Sequence, residues 1–147
     1  MRDQQTDVGQ AQAPTDPRQS LRIALLSYRS KAHSGGQGIY VRHLSRELAA
    51  LGHDVEVISG PPYPELDAGP RLTKVPSLDL YRDPDPFRLP KLREFRSPTD
   101  VYEFLSMCTG AFPEPFTFSL RARKLLKKRT PAQRPDVVHD NQTLGYG

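Results

Sequence analysis

The fold is decided by three consecutive stretches of the chain: LRIALLS at 21–27, SGGQG at 34–38 and IYVRHLSRELAALGHDVEVIS at 39–59. The first is a short, nearly continuous apolar run, which is typical of a strand covered on both faces in a parallel sheet. The second is a glycine-rich turn. The third begins with the spacing of a helix and ends with the composition of a strand.

The third stretch predicts a helix followed by a second strand. From Ile39 the apolar residues recur at helical spacing, at Val41, Leu44, Leu48 and Leu51. Gly52 stands where a helix-ending glycine belongs, and residues 54–59 then predict a strand. Strand, glycine turn, helix and strand make a βαβ unit, whose strands should be parallel and whose crossover should be right-handed. The fold class is therefore α/β.

The rest of the chain is less regular. Prolines interrupt residues 60–96, in which 72–75 predict a short third strand. Ser97 and the proline after it predict the start of a helix with a buried stripe of Val101, Phe104, Leu105 and Cys108. A further helix is predicted over 116–129, with Phe118, Ala122, Leu125 and Leu126 on one side, and a last strand over 136–139.

Composition bounds the domain organisation. The 147 residues suffice for one domain. Because the chain contains 15 prolines, its core must come from a few segments that are separated by proline-rich connections. Residues 1–20 are polar and predict a disordered tail, which leaves 21–147 as the domain. Because the sequence stops in the loop after the last strand, which leaves that sheet face uncovered, we expect this domain to be incomplete at its C-terminal end.

Several function classes are excluded by the same composition. No apolar run reaches the roughly 18–20 residues that cross a bilayer, and the N-terminus lacks the apolar region of a secretory signal. A single cysteine, Cys108, fits a reducing cytoplasm. No histidines, cysteines and carboxylates cluster at metal-ligand spacing, so no metal is expected. The net charge of +4 permits an anionic partner without identifying one.

The glycine turn has the chemistry of an anion site. Backbone N–H groups at a helix start, together with the helix dipole, attract anions, and glycine lets an anion approach the backbone closely. The turn does not match the dinucleotide fingerprint, which needs glycine or alanine at Val41, nor the P-loop, which needs lysine at Ile39. The alternative is a tight turn whose glycines serve only helix–strand packing.

The stretch SGGQGIYVRHLSRELAALGHDVEV at 34–57 resembles the opening of family 4 retaining glycosyltransferases, and DVVH at 136–139 is similar to the family's strand before its cleft loop. The resemblance covers residues 21–147 and is weakest across 60–130. It implies the N-terminal, acceptor-side half of a GT-B fold, in which two Rossmann-like domains, each a parallel sheet with flanking helices, face a cleft. The donor domain is absent from this sequence.

That resemblance also implies an activity and a donor site. A hexose would pass from a nucleotide-diphosphate sugar, without a metal or other cofactor, to a carbohydrate or lipid-linked acceptor. The donor's phosphates would lie against Gly35, Gly36, Gln37 and Gly38. The chain by itself should be inactive, because half a cleft lacks the groups that hold the donor. The rival hypothesis is a non-catalytic Rossmann-like module that binds a phosphate ligand.

Three residues at the end of the last strand are the candidate catalytic residues. The family often carries two histidines two positions apart here, and His139 matches the first while Asn141 stands at the second. Asn141 can bond a sugar hydroxyl but cannot act as a base, so Asp140 is the nearer proton acceptor. Their position at the end of a parallel strand favours ligand contact. His139 is equally open to a structural role, with its ring bonded to a backbone carbonyl.

A basic stretch ends the third predicted helix. Residues 121–129 carry six positive charges and no acid, at Arg121, Arg123, Lys124, Lys127, Lys128 and Arg129. One interpretation is a packed amphipathic helix with a solvated basic face. The other is peripheral contact with the inner face of a membrane. Nucleic acid is not expected as a partner, because no aromatic platform or recognised motif accompanies the charges.

Overall fold

A computed structural model describes residues 20–30, 36–80 and 88–141. The predicted tail lies outside these ranges except for its last residue. The described part contains a parallel sheet of four strands in the order β3-β2-β1-β4. The strands are β1 (Arg22–Ser27), β2 (Asp54–Ser59), β3 (Arg71–Lys74) and β4 (Val137–Asp140). The predicted α/β class, with its Rossmann-like parallel sheet and flanking helices, is confirmed.

The helix of the βαβ unit, α1 (Gly36–Ala50), begins earlier than the sequence predicts. The expected start at Ile39 is wrong, because Gly36 already has helical backbone geometry and the glycines form the first turn. The helix ends as predicted before Gly52, whose φ of +89° lies in the left-handed region that favours glycine. Its Val41 packs into a buried cluster with Ile23, Leu25, Val55 and Val57.

The opposite face of the sheet is covered by the last of the three α-helices in the described residues, α3 (Glu114–Lys127). Phe118 and Ala122 are buried against alternate strand residues, Ala24 and Ile58. Because successive strand residues point to opposite faces, these contacts lie on the side of the sheet away from α1. The predicted apolar side of this helix is confirmed, and the central strands β1 and β2 are covered on both faces.

The helix α2 (Pro98–Cys108) begins as predicted. The Ser97 hydroxyl accepts a hydrogen bond from the Asp100 N–H at 3.3 Å, and the Asp100 carboxylate accepts from the Ser97 N–H at 2.8 Å. This reciprocal pair satisfies two backbone donors that a helix start leaves without partners.

The predicted buried stripe of α2 is wrong. Val101 and Leu105 are 44% and 58% exposed, Cys108 is exposed and Phe104 is half-buried. The fully buried side chain is instead that of Glu103. Its carboxylate accepts a hydrogen bond from Arg121 of α3, which also donates to Asp100 at 2.7 Å. The helix turns its acidic side inward because an arginine there neutralises the buried charge.

Gly60, directly after β2, is required by close packing. A Cβ at this position would lie 2.5 Å from the carbonyl oxygen of Tyr28, a distance that real Cβ atoms essentially never show. We expect Gly60→Ala to lower the free energy of unfolding by about 2 kcal/mol, since the backbone must shift to relieve the overlap. Urea denaturation measures this. Gly36→Ala is the control, because its Cβ meets nothing within 4 Å; an equal loss in both variants would contradict the prediction.

Candidate active site

The carboxyl ends of β1, β2 and β4 meet at one edge of the sheet. Ser27 pairs with Ser59, and Leu26 pairs with Asp140. The Asn141 N–H extends the ladder by donating to the Leu26 carbonyl at 3.1 Å. Two of the predicted site residues, Asp140 and Asn141, therefore lie beside the end of β1. Ligands of open α/β sheets bind at this edge.

The first turn of α1 contains three of the four residues that are predicted to bind the donor's phosphates. Gly36, Gln37 and Gly38 are its first three residues, whereas Gly35 lies outside the described residues. The first four N–H groups of a helix have no acceptor within that helix, and this first turn carries no acidic side chain. A Cβ at Gly36 would meet nothing within 4 Å. Packing against the described residues therefore does not require glycine at Gly36.

The side chains of β4 are accessible to a ligand. All of its residues are exposed, including His139 and Asp140, and Asn141 is half-buried. In a structural role, the His139 ring would form a hydrogen bond with a backbone carbonyl. Within the described ranges, the structure shows no such hydrogen bond from His139. The catalytic roles of these three residues stay predictions.

A buried polar cluster fixes the segment that follows β1. Arg29 donates to the Glu114 carboxylate at 2.9 Å, and both side chains are largely buried, at 18% and 7% exposed. The hydroxyls of Ser27 and Ser30 share a hydrogen bond, and the Ser30 N–H donates to the Pro62 carbonyl at 3.0 Å. The chain is thus held from α3 and from the loop after β2 just before it reaches the glycine turn.

A sequence model of the glycosyl transferase 4-like domain matches residues 35–147, which include the glycine helix start and the residues after β4. The chain belongs to this family. The resemblance carried by the glycine turn and the DVVH strand is confirmed at the level of the family.

A curated relative of this glycosyl transferase 4-like domain is the MMP alpha-(1->4)-mannosyltransferase of Mycolicibacterium hassiacum. The two are 66% identical over 128 residues, which cover 86% of this chain and 31% of the relative. The chain therefore spans about a third of the length of the curated relative that it matches.

In this glycosyl transferase 4-like domain, Glu114 is a buried titratable group that the sequence patterns did not single out. Burial raises the pKa of its carboxyl to about 7, even though the neighbouring Arg29 lowers it, and the charges of Glu103 and Asp79 raise it further. One oxygen each of Glu114 and Glu103 has no hydrogen-bond partner within the described residues. An acid directly after Pro113 at a helix start was the one local signal of its position.

The basic stretch is only partly a free surface. Arg121 is held by Asp100 and Glu103, and Arg129 donates to the Glu56 carboxylate at 2.6 Å. The interpretation of the whole stretch as a solvated basic face is therefore wrong for these two arginines, which neutralise buried acids. The exposed cations of the stretch are Arg123, Lys124, Lys127 and Lys128.

Two further properties concern the described part of the chain as a whole. In residues 20–30, 36–80 and 88–141, no helix is long and apolar enough to cross a membrane. Within the same ranges, histidines, cysteines and acids do not gather in a group of three that could hold a metal ion.

Proposed function

We propose that this chain forms the acceptor-side domain of a retaining GT-B glycosyltransferase, which transfers a hexose from a nucleotide-diphosphate sugar to a carbohydrate acceptor. The observation that carries the proposal is the 66% identity to a protein named as an α-(1→4)-mannosyltransferase, spread over 86% of the chain. Mannose is therefore the hexose, and an α-(1→4) bond the linkage, that we expect first.

In this proposal the start of α1 faces the leaving group. Transfer breaks the bond between the sugar and its diphosphate, so negative charge grows on the phosphate oxygens. The N–H groups of Gly36, Gln37 and Gly38 and the positive end of the helix dipole would stabilise that charge. Because these groups act on the charge that a metal would otherwise neutralise, the proposal needs no metal ion.

The end of β4 would orient the reacting sugars. The Asp140 carboxylate can accept hydrogen bonds from sugar hydroxyls, and the Asn141 amide can both donate and accept them. His139, one residue earlier and exposed, can reach the same ligand. Holding donor and acceptor in a fixed geometry supplies much of the rate in such transfers.

A chimera tests the proposal. The 128-residue matched segment of the Mycolicibacterium hassiacum enzyme is replaced by the corresponding residues of this chain, and mannosyl transfer is measured. We expect transfer within about tenfold of the parent enzyme, a change of about 1.4 kcal/mol in the barrier. The anomeric signal of the product in NMR reports whether configuration is retained. The 147-residue chain alone should give no product.

The chimera also distinguishes glycosyl transfer from the rival hypothesis. A folded chimera without transfer, together with phosphate binding by the isolated chain, would favour the non-catalytic phosphate-binding module. Circular dichroism of the chimera must accompany the rate, so that a loss of fold is not read as a loss of chemistry.

A further inference from the structure

A groove of about 670 Å³ lies between the segment after β3 and the helices α2 and α3. Apolar side chains line part of its wall, among them the buried Val75 and Leu78 and the half-buried Leu125. A volume of this size is typical of a site for a small organic ligand. The groove lies beside the end of β3, which is separated by β2 from the strand that carries the glycine turn. None of its lining residues belongs to the first turn of α1 or to the end of β4, so this groove is distinct from the proposed donor site.

Four of the cations that line the groove form no ion pair with a described residue. They come from three parts of the fold: Lys74 ends β3, Arg96 precedes α2, and Lys124 and Lys128 lie at the end of α3. None of the four side chains pairs with a carboxylate of the described residues, and Lys74 lies over the ring of Tyr63 at 4.9 Å.

The two acids among the described lining residues already bind arginines. Glu94 forms an ion pair with Arg88, and Asp100 forms one with Arg121. Because these four cations lack a carboxylate partner, the described lining of the groove has an excess of positive charge, which attracts an anionic ligand.

We propose that this groove binds a phosphate ester. A phosphate presents several acceptor oxygens, and cations that approach from three parts of the fold can bond different oxygens of one group. Lys74, Arg96, Lys124 and Lys128 hold the phosphate, and the organic part of the ester lies against the apolar wall. This site goes beyond the proposed transfer, because its occupation does not depend on the nucleotide sugar.

The phosphate ester has two possible sources, a soluble metabolite or the headgroup of a membrane phospholipid. Both carry the same recognised group, and two probes distinguish them. Glycerol 3-phosphate represents the soluble source, and vesicles of phosphatidylglycerol represent the lipid. Isothermal titration calorimetry measures the binding of glycerol 3-phosphate, and co-sedimentation measures the binding of the vesicles.

The decisive comparison uses two double variants of the same helix. Lys124→Gln/Lys128→Gln removes two charges that line the groove, whereas Arg123→Gln/Lys127→Gln removes two exposed charges that do not. We expect the first variant to weaken binding by more than about tenfold and the second by less than about twofold. All four side chains are exposed, so both variants should keep the wild-type circular dichroism and melting temperature.

Each outcome of this experiment decides the proposal. Saturable binding of either probe that only the groove variant weakens supports it, and the probe that binds identifies the source. Equal weakening by both variants would show diffuse attraction to a basic surface and overturn the groove as a site. The absence of saturable binding of either probe to the wild-type protein would overturn it as well. Because no donor is present, failure here leaves the proposed transfer untouched.

Discussion

Gly36→Val is expected to lower kcat/KM for sugar transfer about a hundredfold while leaving the fold intact. A valine side chain would occupy the space above the first turn of α1, where the donor's phosphates approach the backbone in the proposed mechanism. Loss of one such contact with a developing charge costs about 3 kcal/mol, and each 1.36 kcal/mol is a factor of ten in rate. The fold should survive because a Cβ at Gly36 meets nothing within 4 Å.

Steady-state kinetics of the active chimera, with circular dichroism of the same sample, measure both parts of this prediction. Ile39→Val is the matched control, since it places the same side chain in the neighbouring turn of the same helix at a position that is 45% exposed. Near-normal turnover of a folded Gly36→Val variant would contradict the placement of the donor phosphates at this helix start.

Wild-type protein is expected to lose about 2.5 kcal/mol of stability relative to Glu114→Gln as the pH rises from 5 to 8. The pKa of Glu114 is raised by burial to about 7, above its ordinary value of 4.5. Between these values the folded protein binds more protons than the unfolded chain, so the free energy of unfolding falls as the pH rises. The neutral glutamine does not titrate and therefore lacks this decline.

Urea denaturation of both proteins at several pH values provides the measurement, and the difference between them isolates Glu114 from the other titrating groups. Glu47→Gln, at a surface position where the side chain is 63% exposed, is the control for removal of a glutamate as such. A constant difference between wild type and Glu114→Gln across this range would contradict a protonated Glu114 in the folded state.

The βαβ unit was predictable because its determinants are local. The run at 21–27, the apolar spacing from Val41 to Leu51 and Gly52 each specify an element without help from distant residues. The same is true of the start of α2, where Ser97 and Asp100 satisfy each other across three positions. Such short-range chemistry can be read directly from the order of the residues.

The inward face of α2 was not predictable from its own sequence. An apolar stripe is normally the buried one, but Glu103 is buried because its neutralising arginine lies 18 positions further along, on α3. The pair of Arg29 and Glu114 spans 85 positions, and the pair of Arg129 and Glu56 spans 73. The sequence pattern of one helix does not contain these partners. The burial of the charged side chains, and the pairing of Arg121 and Arg129 within the basic stretch, could therefore be identified only from the three-dimensional structure.

The candidate site was predictable in position more than in role. Because β1 and β4 are parallel, their ends had to share an edge, and the pairing of Leu26 with Asp140 shows that they do. The helical geometry of Gly36 was missed because glycine is a poor helix former, although the first turn tolerates it better than the interior.

The position of β4 in the sheet sets the order in which the domain can be completed during synthesis. β1 pairs with β4, although more than a hundred residues separate the two strands in the sequence. The hydrogen bond from the Arg22 N–H to the Asp136 carboxylate, for example, spans 114 positions. During translation, β1, α1 and β2 therefore leave the ribosome well before β4, which pairs with the other side of β1, has been synthesised. Until then that side of β1 is an unpaired strand edge, which is prone to pair with other chains. The nascent protein should therefore be most prone to aggregate over this interval, and the end of the sheet that carries the candidate active site is assembled last.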